Sequence, residues 1–167
     1  GTGQLFTDNY TAISLDIKGD ELWNGTEKER FFKHELRTFT EEWNDSTKDV
    51  VELQTSGSTG KPKVMQATKS AMRASAQRSL ETLHITPGST TLLCLPLQYI
   101  AGKMMVVRAL LGDLRLVTAV PSLHPYEHLS VAPQFVALTP LQAAATLEVP
   151  KEKRLLASTD CVILGGG

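Results

Sequence analysis

The sequence predicts an α/β fold with a mostly parallel sheet flanked by helices. Short apolar segments, as at residues 90–95 and 135–138, alternate with longer segments of helical spacing, and this alternation is typical of βα units. Glycine-rich segments follow two of the predicted strands, after Gln54 and after Leu164. Because ligands collect at the carboxyl ends of parallel strands, we expect these two segments to share one site.

The composition is that of an ordinary globular protein. The chain has 167 residues, of which 41% are hydrophobic and 21% charged, and its formal net charge is -1. This balance gives no electrostatic reason to expect nucleic acid or a membrane as a partner. No apolar run approaches the roughly 20 residues that span a bilayer, and no signal peptide is evident. Cys94 and Cys161 lie far apart in apolar runs, which favours free thiols in a cytoplasmic protein. The composition leaves open whether the protein forms a homo-oligomer.

The N-terminal part, residues 1–48, is predicted as a helical segment, and residues 49–167 as the α/β core. Thr26 and Glu29 form a capping-box pattern, so a helix is expected from there to about residue 43. Its apolar face is assigned to Phe31, Leu36 and Phe39, with Phe32 and Trp43.

The core is predicted to begin with two strands, at 50–54 and 63–67, paired as a hairpin. A helix of about 69–84 follows, with Thr68 as its cap and Met72, Ala76, Leu80 and Leu83 at helical spacing. The remaining elements are expected in this order: a turn at 86–88, a strand at 90–95, a helix at 100–111 that stops at Gly112, strands at 114–120 and 135–138, a helix from Thr139-Pro140, and a strand at 161–164.

The hairpin loop has the composition of a phosphate-binding segment. Glycines let backbone amides approach an anion, hydroxyl groups add donors, and lysines add positive charge. The spacing differs from a Walker A loop, which needs four residues between its glycines and then Gly-Lys-Ser/Thr. Only two separate Gly57 from Gly60 here, and Pro62 follows Lys61, so a loop that folds over phosphates fits better. The candidate phosphate ligands are Thr55, Ser56, Gly57, Ser58, Thr59, Gly60, Lys61 and Lys63.

The string from Thr55 to Lys63 resembles the signature loop of the adenylate-forming superfamily, which includes acyl-CoA synthetases, luciferases and nonribosomal adenylation domains. The resemblance implies part of the large N-terminal AMP-binding domain of such an enzyme, with ATP and Mg²⁺ as cofactors and a carboxylate and coenzyme A as co-substrates. Two neighbouring positions depart from the family pattern: Val64 stands where Gly is frequent, and Lys69 where many members have His.

A second motif, at residues 95–102, resembles the family's apolar-Pro-Leu-Phe-His-x-x-Gly segment. Tyr99 stands at the aromatic or His position and Gly102 at the glycine, and the resemblance places both beside the acyl substrate. Tyrosine keeps a ring with a hydrogen-bonding tip but does not titrate near neutral pH. Ala101 replaces a Ser of close relatives, which puts one substrate hydroxyl contact in doubt.

Arg108 has two interpretations. A charged residue in an apolar helix is usually an arginine whose head reaches solvent. Its guanidinium could instead bind a substrate carboxylate. The run from Leu95 to Gly112 is similar to the o-succinylbenzoate–CoA ligases of the menaquinone pathway, whose substrate has two carboxylates. That resemblance implies that one carboxylate is activated and that Arg108 binds the other.

The last residues, Gly165, Gly166 and Gly167, follow a strand and resemble the family's strand-then-glycine motif, which borders both nucleotide and acyl group. His124 and His128 form an H-x-x-x-H pair without an evident third ligand. Because stable zinc sites generally need three or four protein ligands, no metal site is predicted there. His34 and His84 are interpreted as structural.

The resemblance also implies further parts that this sequence lacks. They are the Glu that binds Mg²⁺, the ribose-binding Asp, the hinge and the small C-terminal domain with its catalytic Lys. We therefore expect an N-terminal fragment that is inactive alone and that has no certain catalytic residue of its own. Two alternatives to an o-succinylbenzoate–CoA ligase stay open: another acyl- or aryl-CoA synthetase, or a non-catalytic nucleotide-binding module.

Overall fold

The computed structural model describes residues 26–55, 61 and 63–165, together with the backbone of residues 5–6 and 12–13. Its main sheet has six strands in the order β2-β1-β6-β5-β7-β8. The pairs β1·β6, β6·β5, β5·β7 and β7·β8 are parallel, and only β2 is antiparallel to its neighbour. The strands of this sheet are β1 Leu5–Phe6, β2 Ala12–Ile13, β5 Thr90–Leu93, β6 Arg115–Thr118, β7 Phe135–Leu138 and β8 Cys161–Leu164.

Two further strands and five helices complete the described chain. Strands β3 and β4 form a separate antiparallel sheet with a register from Val50↔Thr68 to Thr55↔Lys63. Their bounds are β3 Val50–Thr55 and β4 Lys63–Thr68. The helices are α1 Glu27–Asn44, α2 Lys69–Thr82, α3 Ile100–Gly112, α4 Pro140–Leu147 and α5 Pro150–Ala157. Within the described ranges, every helix is too short or too polar to cross a membrane.

Helices cover both faces of the sheet, as a parallel sheet requires. On one face, α1, α2 and α3 pack their apolar side chains onto residues such as Leu93, Leu116 and Phe135. On the other face, Leu92, Val136 and Leu138 contact Tyr126 of the loop after β6 and the helices α4 and α5. The helices cover the faces of the sheet, and the carboxyl ends of the parallel strands form an edge between the two helical layers.

The predicted fold class is confirmed, and so are the helices from Thr26, Thr68 and Thr139. Each of these threonines accepts a hydrogen bond from a backbone N–H three residues later, at 3.1–3.2 Å. The predicted apolar face of α1 is wrong at one position, because Phe31 is 62% exposed. The buried positions of α1 recur at helical spacing and leave Phe31 on the solvent side; they are Phe32, Leu36, Phe39, Thr40 and Trp43.

Three other details differ from the prediction. The helix α3 includes Gly112, and the residue in the left-handed conformation that ends it is Asp113, with φ 52°. The predicted hairpin of β3 with β4 is confirmed along six residue pairs, but it forms a sheet of its own, so β3 is not one of the parallel strands. The elements β1, β2 and α5 were not predicted from the sequence, since two-residue strands and an eight-residue helix carry little periodic signal.

Candidate functional site

The carboxyl edge of the main sheet is the place where a ligand is expected in this topology. The chain leaves β5 toward β6 on one side, whereas it leaves β7 toward β8 on the other. Strands β5 and β7 are neighbours, so the sheet order reverses between them, and open α/β sheets bind ligands at such a point. Cys94 and Thr139 are the first residues beyond these two strands.

The hairpin β3–β4 brings Thr55, the first residue of the predicted phosphate loop, close to this edge. The Gln54 N–H donates to Gln98 O at 2.9 Å, and Gln54 forms a parallel bridge with Tyr99. Thr55 follows directly and donates its hydroxyl to Lys63 O at 3.5 Å across the hairpin. The residue before the loop therefore lies beside the N-cap residue of α3, although β3 is not part of the main sheet.

The loop residues are only partly described. Lys61 and Lys63 are exposed, so their ammonium groups can reach an anion without losing an interior contact. The other predicted phosphate ligands, Ser56, Gly57, Ser58, Thr59 and Gly60, lie outside the described residues.

Tyr99 and Gly102 lie together at the start of α3. Tyr99 is the N-cap residue of the helix and is half-buried, and its side chain makes no capping hydrogen bond. Gly102 is buried, and a Cβ added there would overlap the backbone carbonyl of Pro96. The glycine therefore permits close packing of α3 on the segment after β5, which is a structural reason for glycine at this position.

Arg108 lies away from this pair. It is nine residues beyond Tyr99 on α3, a rise of about 13 Å along the helix axis. Its Nε donates to Ser79 Oγ of α2 at 2.8 Å, and its Nη1 approaches Met105 Sδ at 3.3 Å. Burial lowers the pKa of the guanidinium from its ordinary value, and an arginine nevertheless stays charged. The structure thus places Arg108 between α2 and α3 and does not bring it to Tyr99.

Gly165 lies at the carboxyl end of β8, on the same edge as the ends of β5 and β7. Its N–H donates to Leu138 O at 3.1 Å, so it is the neighbour of Thr139 at the start of α4. It is exposed, and an added Cβ would meet nothing within 4 Å. The other two predicted glycines, Gly166 and Gly167, lie outside the described residues.

The loop of residues 119–134, after β6, is held by side chains of α5 and of the segment between α5 and β8. Its Tyr126 hydroxyl lies 2.7 Å from Thr159 Oγ1, and His124 Nδ1 lies 2.9 Å from Glu152 Oε1. Glu152 is buried at 5% exposure, so His124 serves as a polar partner for a carboxyl group that would otherwise be buried alone. His128, the other member of the H-x-x-x-H pair, is 92% exposed in its side chain. In the part of the chain that the structure describes, no three His, Cys, Asp or Glu side chains gather to hold a metal ion.

Two adjoining clefts separate α1 from the carboxyl edge. Each has a volume of about 550 Å³, and Lys28, Phe32 and Val120 line both. One cleft reaches Pro96 and Gln98, which precede Tyr99. The other reaches Ser122 and His124 in the loop after β6. Sequence reasoning assigned no site residue to α1, because Lys28 lies in a solvated, charged helix start that carries no functional pattern.

Sequence reasoning also missed Gln142. This side chain is 5% exposed and donates from Nε2 to Cys94 O and Ser122 O at 3.0 and 2.9 Å. A signal was present in the sequence, because Gln142 stands three residues after Thr139, the position of the Glu or Gln partner in a capping box.

Comparisons with known proteins identify the family and support the fold. The chain is 33% identical over 125 residues to a probable 2-succinylbenzoate–CoA ligase of Mycobacterium tuberculosis. This alignment covers 69% of the chain. Its fold matches an acyl-CoA synthetase (AMP-forming)/AMP-acid ligase II-like protein from Dyadobacter fermentans with a TM-score of 0.76 and 31% identity. That match covers 89% of this chain and 42% of the other. The chain belongs to the adenylate-forming acyl-CoA synthetase superfamily. No family model matches the sequence.

A third relative is the o-succinylbenzoate CoA synthetase of Bacillus subtilis in complex with its acyl-adenylate intermediate. It has a TM-score of 0.53 and 28% identity, over 70% of this chain and 31% of that protein. The same Bacillus enzyme has also been solved with ATP and a magnesium ion. This chain spans about a third of the length of the mycobacterial relative, 32%.

Proposed function

We propose that the protein carrying this chain is an ATP-dependent acid–thiol ligase that converts o-succinylbenzoate to its coenzyme A thioester. A carboxylate oxygen attacks the α-phosphorus of ATP, and pyrophosphate leaves. The coenzyme A sulfur then attacks the acyl carbon, and AMP leaves. The observation that carries the proposal is the Gln54–Tyr99 bridge, because it sets the start of the phosphate loop against the first turn of α3 at the carboxyl edge.

In this proposal the residues have distinct roles. The loop from Thr55 to Lys63 holds the β and γ phosphates, and its lysines offset the charge that develops on pyrophosphate. Mg²⁺ bound with ATP would offset the negative charge of the phosphates, and no residue of the described chain is assigned as its ligand. Tyr99 and Gly102 line the acid side, and Gly165 to Gly167 line its junction with the nucleotide.

Arg108 is proposed to bind the second carboxylate of o-succinylbenzoate. Because it lies between α2 and α3, away from Tyr99, this role is the part of the proposal to test first. The guanidinium has five N–H donors, and its described contacts use Nε and Nη1. Donors remain for a carboxylate, provided that the ligand reaches the side of α3 that packs on α2. The same geometry favours the second candidate, an acyl- or aryl-CoA synthetase for an acid without a second carboxylate.

The two candidates differ in how they respond to Arg108→Ala. If the guanidinium binds the second carboxylate, its loss raises the KM for o-succinylbenzoate by about tenfold to a hundredfold, since a charged hydrogen bond contributes roughly 1.5–3 kcal/mol. Use of an aryl acid with one carboxylate should not change. The assay is pyrophosphate release with saturating ATP.

Ser79→Ala is the matched control. It removes the hydrogen bond that α2 makes with Arg108 and keeps the guanidinium. If Arg108 only joins the two helices, both variants should have the same KM for o-succinylbenzoate. An unchanged KM for o-succinylbenzoate in Arg108→Ala would remove this acid from the proposal and leave the wider ligase assignment in place.

A further inference from the structure

The side chain of Gln142 joins three segments of the carboxyl edge. Nε2 donates to Cys94 O at 3.0 Å and to Ser122 O at 2.9 Å, and Oε1 accepts from the Thr139 N–H at 3.0 Å. Cys94 follows β5, Ser122 lies in the loop after β6, and Thr139 follows β7. One carboxamide thus connects the ends of three adjacent strands.

These contacts begin where the sheet's own hydrogen bonds end. The register of β5 with β7 stops at Leu92↔Val136, and that of β5 with β6 stops at Leu93↔Thr118. Past these pairs, the Ala119 N–H still donates to Leu93 O at 2.9 Å and the Cys94 thiol to Ala137 O at 3.6 Å. The Cys94 carbonyl belongs to the next residue, which is fully buried. A buried carbonyl without a donor is costly, and Gln142 supplies that donor from the first turn of α4.

The orientation of the carboxamide follows from its partners. The capping box with Thr139 directs Oε1 to a backbone N–H, which leaves both hydrogens of Nε2 for the two carbonyl oxygens. A glutamate at this position would keep the acceptor but place an oxygen about 3 Å from two carbonyl oxygens, where it has no proton to donate. The site therefore requires an amide.

We propose that Gln142 is a positioning residue that holds the acid side of the proposed site in a single arrangement. Two of its three partners lead to that side: Cys94 begins the segment that ends at Tyr99, and Ser122 lines the cleft against α1. None of its described contacts reaches the β3–β4 hairpin, which carries the phosphate loop. The segment from Cys94 meets this hairpin at its far end, through Gln98 and Tyr99, so Gln142 acts chiefly on the acid side and only indirectly on ATP binding.

This inference rests on the proposed function, and its test separates the two. In Gln142→Glu and in Gln142→Met, which removes the donors without adding charge, the KM for the acid rises by about tenfold or more, and the KM for ATP rises by a clearly smaller factor. Thr146→Val is the matched control, because Thr146 is also buried on α4 and its hydroxyl donates to Gln142 O within the same helix. It lowers stability without raising the KM for the acid.

Amide hydrogen exchange followed by mass spectrometry gives a readout that needs no catalysis. We expect faster exchange at residues 94–99 and 119–124 in both Gln142 variants and unchanged exchange there in Thr146→Val. If the wild-type protein activates no acid, the proposed function fails. The hydrogen-exchange rates at residues 94–99 and 119–124 still show whether Gln142 holds these segments in place. Equal exchange in all variants, or an equal rise in the KM values for acid and ATP, would overturn the positioning role.

Discussion

Close backbone approach fixes residue 102 as glycine. An added Cβ would overlap the Pro96 carbonyl and would lie 3.1 Å from the Leu95 carbonyl oxygen. Both atoms are backbone, so they cannot move aside by rotating a side chain. The segment they belong to leads from β5 to Tyr99, and the glycine thus contributes to the site by letting α3 start where it does.

We expect Gly102→Ala to destabilise the protein by about 1–3 kcal/mol, the usual cost of overpacking a close contact. Urea unfolding followed by fluorescence measures the change. Gly165→Ala serves as the control, since its Cβ enters open space and should leave the unfolding midpoint unchanged. Equal midpoints for wild type and Gly102→Ala would contradict the close approach.

Two buried acids predict how stability depends on alkaline pH. Burial raises the pKa of the Cys94 thiol from 9.0 to about 12 and, as the chief cause, that of the Tyr126 hydroxyl from 10.0 to about 12. Above pH 9 the unfolded chain releases the Cys94 proton and the folded chain keeps it. The free energy of unfolding therefore falls as the pH rises from 9 toward 12, by up to about 1.4 kcal/mol per pH unit for each such group.

Unfolding measured at pH 8 and pH 10 checks this dependence, because Cys94 contributes first in that interval. Cys94→Ala should lose less stability than wild type between the two values, whatever its stability at pH 8. A variant that loses as much as wild type would show that Cys94 is not the group responsible.

At the scale of elements, Lys69 connects the end of α1 to the start of α2. The side chain is 6% exposed, and its ammonium donates to Glu42 O at 2.6 Å and to Asp45 O at 2.8 Å. These carbonyls lie at the C-terminal end of α1, where a cation is favourable. Since Lys69 directly follows β4, the same contact anchors the base of the phosphate-loop hairpin.

Lys69→Met should lower the free energy of unfolding by about 2–4 kcal/mol, because it leaves two partly buried carbonyl groups without their charged donor. Chemical denaturation measures the loss. Lys48→Met, at an exposed position in the same connection, should change stability by less than about 0.5 kcal/mol. A loss of similar size in both variants would mean that the ammonium contacts contribute little.

Local signals explain which elements could be predicted from the sequence. The helices α1, α2 and α4 each begin at a threonine that caps its own helix, and the hairpin strands flank a loop rich in serine and glycine. The membership of β3 in a separate sheet depends on its pairing with β4 and not on its own residues. The contact of Arg108 with Ser79 joins two helices across 29 positions, and no periodicity reveals such a pair.

On the scale of the whole molecule, the described chain holds the parts that surround the proposed acid and phosphate sites. The mycobacterial relative is about three times as long as the part that this chain matches. We propose that the 167 residues alone do not complete adenylation. Incubation of this chain with ATP, Mg²⁺ and o-succinylbenzoate should give no AMP above the enzyme-free rate, and robust AMP formation would contradict this.

The most direct test of the proposed chemistry is acid-dependent exchange of radioactive pyrophosphate into ATP, measured on this chain together with any coding sequence that follows it. We predict exchange that requires a carboxylic acid, is fastest with o-succinylbenzoate, and falls at least about tenfold in Lys61→Ala, which removes a charge from the phosphate loop. A folded protein that exchanges pyrophosphate with no acid, or that instead hydrolyses ATP to ADP and phosphate, would contradict the assignment as an adenylate-forming ligase.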